Sequence, residues 1–345
     1  MLCPHGREQP EMLKKVKNAF AAFFSGKSGK LRSFFSALII LAFLSIYGYS
    51  FLQQREKYEQ TEFFFDTPCT ITVYGKEAKN AVSSAMRELK KIHGLADAKE
   101  RESDVARVNG AAAYVPVKVD ARTYTILKTA YRICKDSGGA FDITVAPVSS
   151  LWNFVSENAK PPSVESISAA LENVGFDKIT LNDREQTVTK SADGVKIDLG
   201  GAAKGFAADA AAEIIKGFNV SGAVIDLGGN VLCLGQNAAS KQKNWRIGIQ
   251  IPFSQLGECK LVITLQNGAA VTSGTYQRCF EYNGKLYHHI LDPKTGFPSN
   301  HSYNSVTIQT DSALTADCLA TACFVLGAND GWALAQKYGA KIYFQ

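Results

Sequence analysis

From residue 61 onward, short runs in which apolar and polar residues alternate are interleaved with stretches whose apolar residues recur every three or four positions. Residues 61–74 read as two short β segments broken at Pro68, and 79–93 as a helix with Val82, Met86, Leu89 and Ile92 on one side. A second amphipathic helix is expected over 123–137, with Ile126, Thr129, Ala130 and Ile133 inward and the Gly138-Gly139 pair ending it. After the Pro161-Pro162 break, Ser163 is placed to cap a third helix, with Glu165 in its positive first turn. No full capping box forms, because Ser166 stands where Glu or Gln would be needed. Further on, β runs at Thr187–Lys190, 195–198, 223–234, 245–251, 260–266 and 303–309 are mixed with helices over Ala203–Lys216 and 314–326. That order lacks the regular strand-helix alternation of a doubly wound sheet. It predicts one α+β domain with a mixed sheet, spanning 61–345.

Ahead of the domain, Ser33 to Leu52 carries no charge, and about 20 apolar residues in a helix span roughly 30 Å of hydrocarbon. Tyr47 and Tyr49 sit where interfacial aromatics are expected. Residues 34–52 are therefore expected to form one transmembrane signal anchor, and 53–60 a linker. The first 33 residues hold seven Lys or Arg against Glu8 and Glu11, so +5 of the formal net charge of +6 lies there. Positive charge before the span predicts that 1–33 stay in the cytoplasm and that the domain is extracytoplasmic, on an inner membrane. A cleaved signal peptide would export the same domain. The remainder of the chain is close to neutral, and nothing in it points to nucleic acid. Composition is ordinary for a globular protein, 46% hydrophobic and 20% charged, and the eight cysteines include no C-x-x-C pair, so most read as small buried hydrophobes.

An internal echo, Ile197-Asp-Leu-Gly-Gly201 and Ile225-Asp-Leu-Gly-Gly229, places paired glycines after a β run twice. The first copy leads into Ala202-Ala-Lys204-Gly205 and a helix. A helix N-terminus with a lysine on it suits a diphosphate, although ordinary glycine turns would read the same way. The second copy leads into Asn230 and another β run, as in a hairpin. Neither matches a P-loop or a G-x-G-x-x-G fingerprint. Chemistry concentrates in 270–296, where Thr272, Ser273, Tyr276, Arg278, His288, His289 and Asp292 lie close together in sequence, and Asp292-Pro-Lys-Thr-Gly296 has turn composition. In strand alternation one histidine would be exposed and the other satisfied. Asp317 and Thr321, four apart, share one face of an otherwise apolar helix, either as hard oxygen ligands or with Asp317 as a cap.

Six segments in order resemble one family. Ser103 to Asn109 is similar to its S-x-x-x-x-x-N stretch. Phe141-Asp142-Ile-Thr144-Val-Ala-Pro147, followed by Leu151-Trp152, is similar to F-D-x-T-V-x-P-L-x-x-x-W, with Val148 in place of Leu. Asp198-Leu-Gly-Gly-Ala-Ala-Lys204-Gly205, Thr272-Ser-Gly-x-Tyr276, His289-Ile-x-Asp292-Pro-x-Thr-Gly296 and Ala316-Asp317-x-Leu-Ala-Thr321 complete the set. Together they resemble the ApbE family of FAD:protein FMN transferases, once known as thiamine-biosynthesis lipoproteins. Residues 94–102 follow the family loosely, no lipobox cysteine is present, and the chain is expected to stop short of where the family's closing strand usually ends.

The resemblance implies Mg²⁺ held by Asp317, Thr321 and the Gly201 carbonyl. It also implies FAD as substrate, with its diphosphate against Lys204. Asn109, Asp142, Thr144, Thr272, Ser273 and Tyr276 are carried over as flavin or phosphate contacts, His289 as the general base and Asp292 as its orienting partner. FMN would be attached to a Thr or Ser of an acceptor flavoprotein such as a subunit of a membrane redox pump, with release of AMP. Transfer is expected in trans, because the family's acceptor motif D-x-x-[ST]-G-A-[ST] is missing: Asp136-Ser-Gly-Gly-Ala-Phe141 is one residue short and has Phe at the acceptor position. Rival readings are an exported Mg²⁺-dependent FAD pyrophosphatase and a non-catalytic flavin-binding protein. Asp317, Thr321 and His289 favour catalysis.

Overall fold

The computed structural model describes residues 36, 38–45, 56–156, 158–240, 242–255 and 257–345. The chain divides into two units, 1–54 and 55–345. In the first, residues 38–45 are helical, and Leu38, Ile39, Ile40, Leu41, Phe43 and Leu44 are exposed. Among the described residues no helix is long and apolar enough to cross a membrane. The expected basic segment and most of the expected span fall outside them.

The second unit is built on one seven-stranded sheet: β1 Lys57–Phe64, β2 Thr67–Tyr74, β3 Gly222–Leu227, β4 Asn230–Gly235, β5 Gly268–Gly274, β6 Ser305–Thr310 and β7 Lys341–Phe344. These strands lie side by side in chain order, and every pairing is antiparallel. The expected mixed sheet is thus replaced by a meander, in which the helices sit in long excursions between antiparallel neighbours instead of in parallel crossovers. α1 (Ala78–Ala96) and α2 (Ala121–Asp136) belong to the excursion between β2 and β3, as does α3 (Ala203–Lys216). α4 (Ala313–Leu326) and α5 (Ala328–Lys337) lie between β6 and β7.

Alternation along the strands separates two cores. Ile71, Ile225, Leu232, Val271, Val306 and Ile308 face the helices, meeting Val82, Met86, Leu89 and Ile92 of α1 and the apolar side chains of α4. On the other face, Val224, Val231, Cys233 and Ala270 pack under a hairpin of Trp245–Gln250 and Cys259–Leu265. α4 is buried nearly all round, which explains its lack of an amphipathic stripe.

Three sequence expectations change. β1 begins at Lys57, inside the expected linker. The first two strands break at Phe65-Asp66, both at positive φ, and not at Pro68. Pro68 pairs with Phe63 but lies one residue outside the β2–β3 register, so on that side no ladder donor is required of it. Residues 195–198 form no strand. Instead the Asn109 carboxamide accepts from the Ile197 N–H (2.7 Å) and donates to the Ile197 carbonyl (3.0 Å), while the Asp198 N–H donates to the Ile143 carbonyl (2.7 Å).

α3 and α4 cross closely at Gly205, where a Cβ would lie 2.3 Å from the Ala313 carbonyl oxygen. Gly→Ala within a helix ordinarily gains about 1 kcal/mol, whereas overpacking costs about 1–3 kcal/mol. Backbone on both sides leaves nothing flexible to yield. Gly205→Ala is therefore expected to lower the urea unfolding midpoint, and a raised midpoint would show that the helices tolerate separation.

Candidate active site

The site forms where the start of α3, the middle of α4 and the end of β5 meet. Asp198 organises the approach through its Oδ1, which accepts from the Gly200 N–H (2.8 Å), and the Leu199 carbonyl accepts from Ala202 and Ala203. Gly201 then lies against α4: a Cβ there would be 3.6 Å from the Thr321 Oγ1 and 3.1 Å from the Phe141 ring. Lys204 follows in the first turn of α3, half-buried, with its Nζ 3.4 Å from the Gly200 carbonyl.

Asp317 is buried, and its Oδ2 accepts from the Gly205 N–H (2.9 Å). It caps α3, not its own helix, which is capped by Ser312 through the Thr315 N–H. Among the described residues no ion pair engages Asp317, although a buried carboxylate ordinarily has a cationic partner. One turn on, the Thr321 hydroxyl shares a hydrogen bond with Ser273 (3.2 Å). Asp317, Thr321, Gly201 and Ser273 are thus brought together as hard oxygen donors. No group of three His, Cys, Asp or Glu side chains capable of holding a metal occurs among the described residues. A single carboxylate with neutral oxygens suits Mg²⁺, which keeps several waters and shares itself with phosphate, and does not suit zinc.

The two histidines differ in burial, His288 being buried and His289 half-buried. His288 is buried, donates from Nε2 to the Ser299 carbonyl (2.8 Å) and accepts the Ile290 N–H at Nδ1 (3.3 Å), so both nitrogens are used. His289 uses one. Its Nδ1 is 3.2 Å from the Arg278 carbonyl, which can only accept, so the proton is on Nδ1 and Nε2 offers a lone pair. Burial, with the positive charges of Arg278 and Lys204 nearby, pushes this imidazole down to about 4.

The hydrogen-bond partner of His289 is therefore Arg278, and Asp292 is not bonded to the imidazole. Its Oδ1 accepts from the Lys294 N–H (2.9 Å) and its carbonyl from Gly296 (2.8 Å), closing its own turn. That turn is tied to the Phe141–Trp152 segment by a bond from the Trp152 Nε1 to the Gly296 carbonyl (2.9 Å).

Other carried-over residues are also engaged inside the protein. Asp142, its carboxyl pushed up by burial, accepts from Thr144 N–H and Oγ1 and from the Phe176 N–H. Thr144 accepts from the Gly175 N–H. Asn109 spends both carboxamide atoms on Ile197. These three shape the backbone around the site, and of them Asp142 also lines a cavity of about 660 Å³ with Tyr131, Phe176 and Pro293. Thr272 is adjacent to Ser273 on β5 and so points to the opposite face, where it pairs with Thr307 (2.8 Å). Tyr276 packs on that same face over Gly274 and against Phe253. Sequence reasoning gives no role to Arg278, in the polar 270–296 stretch, or to Phe141, which lies within a quoted motif.

A domain whose sheet end gathers a lysine, a buried carboxylate, hydroxyls and an imidazole defines an α+β protein with the groups to hold an anion against hard oxygen donors. The chain belongs to the ApbE family, whose sequence profile matches residues 65–344. It is 34% identical to the FAD:protein FMN transferase of Treponema pallidum over 297 residues, 82% of each chain. It is 35% identical to that of Haemophilus influenzae over 262 residues, 74% of this chain and 75% of the other. The fold superimposes on the ApbE protein of Thermotoga maritima with a TM-score of 0.76 at 34% identity, covering 84% of this chain and 94% of that one. For the flavin transferase ApbE of Vibrio cholerae the TM-score is 0.73 at 27% identity, covering 84% and 93%.

Between the ordinary histidine range near pH 6.5 and about pH 4, the unfolded chain binds a proton at position 289 that the folded chain refuses. Unfolding free energy is expected to fall as pH drops through that window, and His289→Gln should flatten part of the slope. Histidine NMR should show the His289 ring neutral at pH 5, and a midpoint near 6.5 would contradict the burial.

Proposed function

We propose that this chain is a Mg²⁺-dependent FAD:protein FMN transferase that cleaves FAD, joins FMN by a phosphoester to a Thr or Ser of another protein, and releases AMP. The observation that carries the reading is the buried Asp317, without a cationic partner among the described residues, set against Thr321 and Gly201 beside Lys204. Membership of a family whose named relatives are FAD:protein FMN transferases supports it.

Asp317, Thr321 and the Gly201 carbonyl would hold Mg²⁺. The ion, when bound, offsets charge developing on the diphosphate oxygens. Lys204 holds that diphosphate and stabilises the same charge without changing protonation state. Ser273 orients Thr321. His289 takes the acceptor hydroxyl proton at Nε2, the hydroxyl oxygen bonds to the FMN phosphorus, and the bond to the AMP oxygen breaks. Arg278 fixes the tautomer through its carbonyl. Asp292 shapes the turn next to the base, while Asn109, Asp142 and Thr144 hold the surrounding backbone. Thr272 and Tyr276, on the far face, are retained only as contacts reached around the end of the sheet.

Transfer in trans is supported by the state of residues 136–141. Asp136 binds Lys337 and Tyr338, Gly138 and Gly139 end α2 at positive φ, and Phe141 is buried at the site, so this segment is a helix terminus and not an acceptor. The uncharged 34–52 segment behind a basic flank supports a membrane-anchored enzyme facing the extracytoplasmic side, which would restrict its acceptors to flavoproteins exposed there.

Incubation with FAD, Mg²⁺ and membrane acceptor proteins should yield fluorescent acceptor bands. Asp317→Ala is expected to abolish them and, by removing the cap of α3, to lower the urea midpoint while the domain still folds; Thr321→Val should weaken them less. His289→Ala should slow transfer by about 10²–10⁴ with FAD affinity within a few-fold. Normal transfer by Asp317→Ala would end the assignment, and AMP release without acceptor labelling would make the protein a pyrophosphatase. Alkaline carbonate extraction should leave the full chain in the membrane pellet, and its release to the supernatant would remove the anchor.

A further inference from the structure

Asn230, the first residue of β4, is buried to 2% exposure, and its Nδ2 has no hydrogen-bond partner. A buried carboxamide donor left unmade is expensive, and such groups are rarely retained without a use. Its direction follows from the register. Asn230 pairs with Val271, which belongs to the helix-facing core, as does Leu232 two residues along the same strand. Ser273, two residues beyond Val271, is on that face too and bonds to Thr321. Asn230, Val271 and Ser273 therefore share one face of adjacent strands, at the end of the sheet where the metal-binding hydroxyls lie.

The backbone before Asn230 supports the same purpose. Gly228 and Gly229 are both at positive φ, and the Asp226 Oδ1 accepts from the Gly229 N–H (3.0 Å). A Cβ on Gly228 would strike the Thr67 side chain at 2.2 Å, so this turn lies close against the start of β2. The Asn230 Nδ2 is thus buried and without a hydrogen-bond partner in the protein.

We infer that Asn230 is a ligand-binding residue of this site, its Nδ2–H donating to an oxygen of the bound flavin dinucleotide that completes its unmet hydrogen bond. The inference rests on the FAD reading above and adds a donor from the second glycine-pair segment, which the transfer chemistry leaves unused. A hydrogen bond formed only with ligand leaves stability of the free protein untouched while raising affinity.

Asn230→Leu keeps the volume and removes the unmet donor, and Asn230→Asp keeps the shape and replaces the donor with an acceptor. Both are measured for equilibrium FAD binding by flavin fluorescence and for urea unfolding without ligand, using the full chain. Asn230→Leu should unfold at the same or a higher urea concentration and bind FAD at least about tenfold more weakly. Asn230→Asp should bind still more weakly. Unchanged FAD affinity in both variants overturns the inference, as does loss of affinity that only parallels loss of stability in both. Absence of FAD binding by the unaltered protein overturns the flavin reading and this inference with it. Binding by the unaltered protein and by both variants alike overturns this inference alone.

Discussion

Two helices capping each other hold the site together. Asp317 on α4 accepts the Gly205 N–H at the start of α3, and Asp209 on α3 accepts the Ala313 and Leu314 N–H groups and the Ser312 hydroxyl at the start of α4. Each helix supplies the carboxylate that the other's terminus lacks, and the negative charges lie at the positive ends of both dipoles. α3 has no side-chain cap of its own at Ala202, so Asp317 is doing structural work before any ligand arrives. The crossing at Gly205 is close enough that Lys204 and Gly201 are delivered against Thr321 with little freedom. A carboxylate that also anchors a helix is held in place for a metal without a dedicated set of supporting residues.

The end of the sheet provides the other half. The turns at 65–66, 228–229 and 275–278 converge there. Phe65 and Asp66 adopt the left-handed conformation usually left to Asn and Gly, and Asp66 bonds to Arg278 (3.2 Å), whose carbonyl holds His289. A hairpin tip more than 200 residues away in sequence thereby touches the residue that orients the base. The exposed ion pair adds little energy by itself. Its effect is geometric, because the Arg278 carbonyl accepts from both the backbone and the ring of His289.

Much of this was legible in the sequence, and the limits have physical causes. The helix over Ala203–Lys216, the strand Thr187–Lys190, the Ser163 cap and the hairpin after the second glycine pair follow from local signals that tertiary packing did not overrule. The Asp317–Thr321 face was readable from a spacing of four on an apolar helix. What could not be read was where side chains spend their hydrogen bonds. Asn109 looked like a ligand contact and instead serves as the strand partner that 195–198 lacks. Asp142 and Thr144 pin the Gly175-Phe176 turn. The separation of Thr272 from Ser273 depends on strand phase, which becomes fixed only when β5 is known to pair with β4 and β6 and one face meets α4. Proximity in sequence grouped His289 with Asp292, whereas the chain turns so that each bonds elsewhere.

The electrostatics of the site argue for a base whose strength depends on its ligand. Burial and the charges of Lys204 and Arg278 favour neutral His289, so the ring is ready to accept a proton but, in the free protein, would hold it poorly. Catalysis by proton removal is most effective when the base has a pKa near the working pH. A diphosphate against Lys204 brings negative charge that opposes both cations and makes an imidazolium less costly. In the proposed reaction, an anion held against the lysine would therefore raise the basicity of His289. An imidazole already strong without ligand would instead be partly protonated near neutral pH, which lowers the fraction able to accept the acceptor's proton. Low basicity in the free protein and a cationic rim are consequently one arrangement, in which the ligand supplies the missing charge.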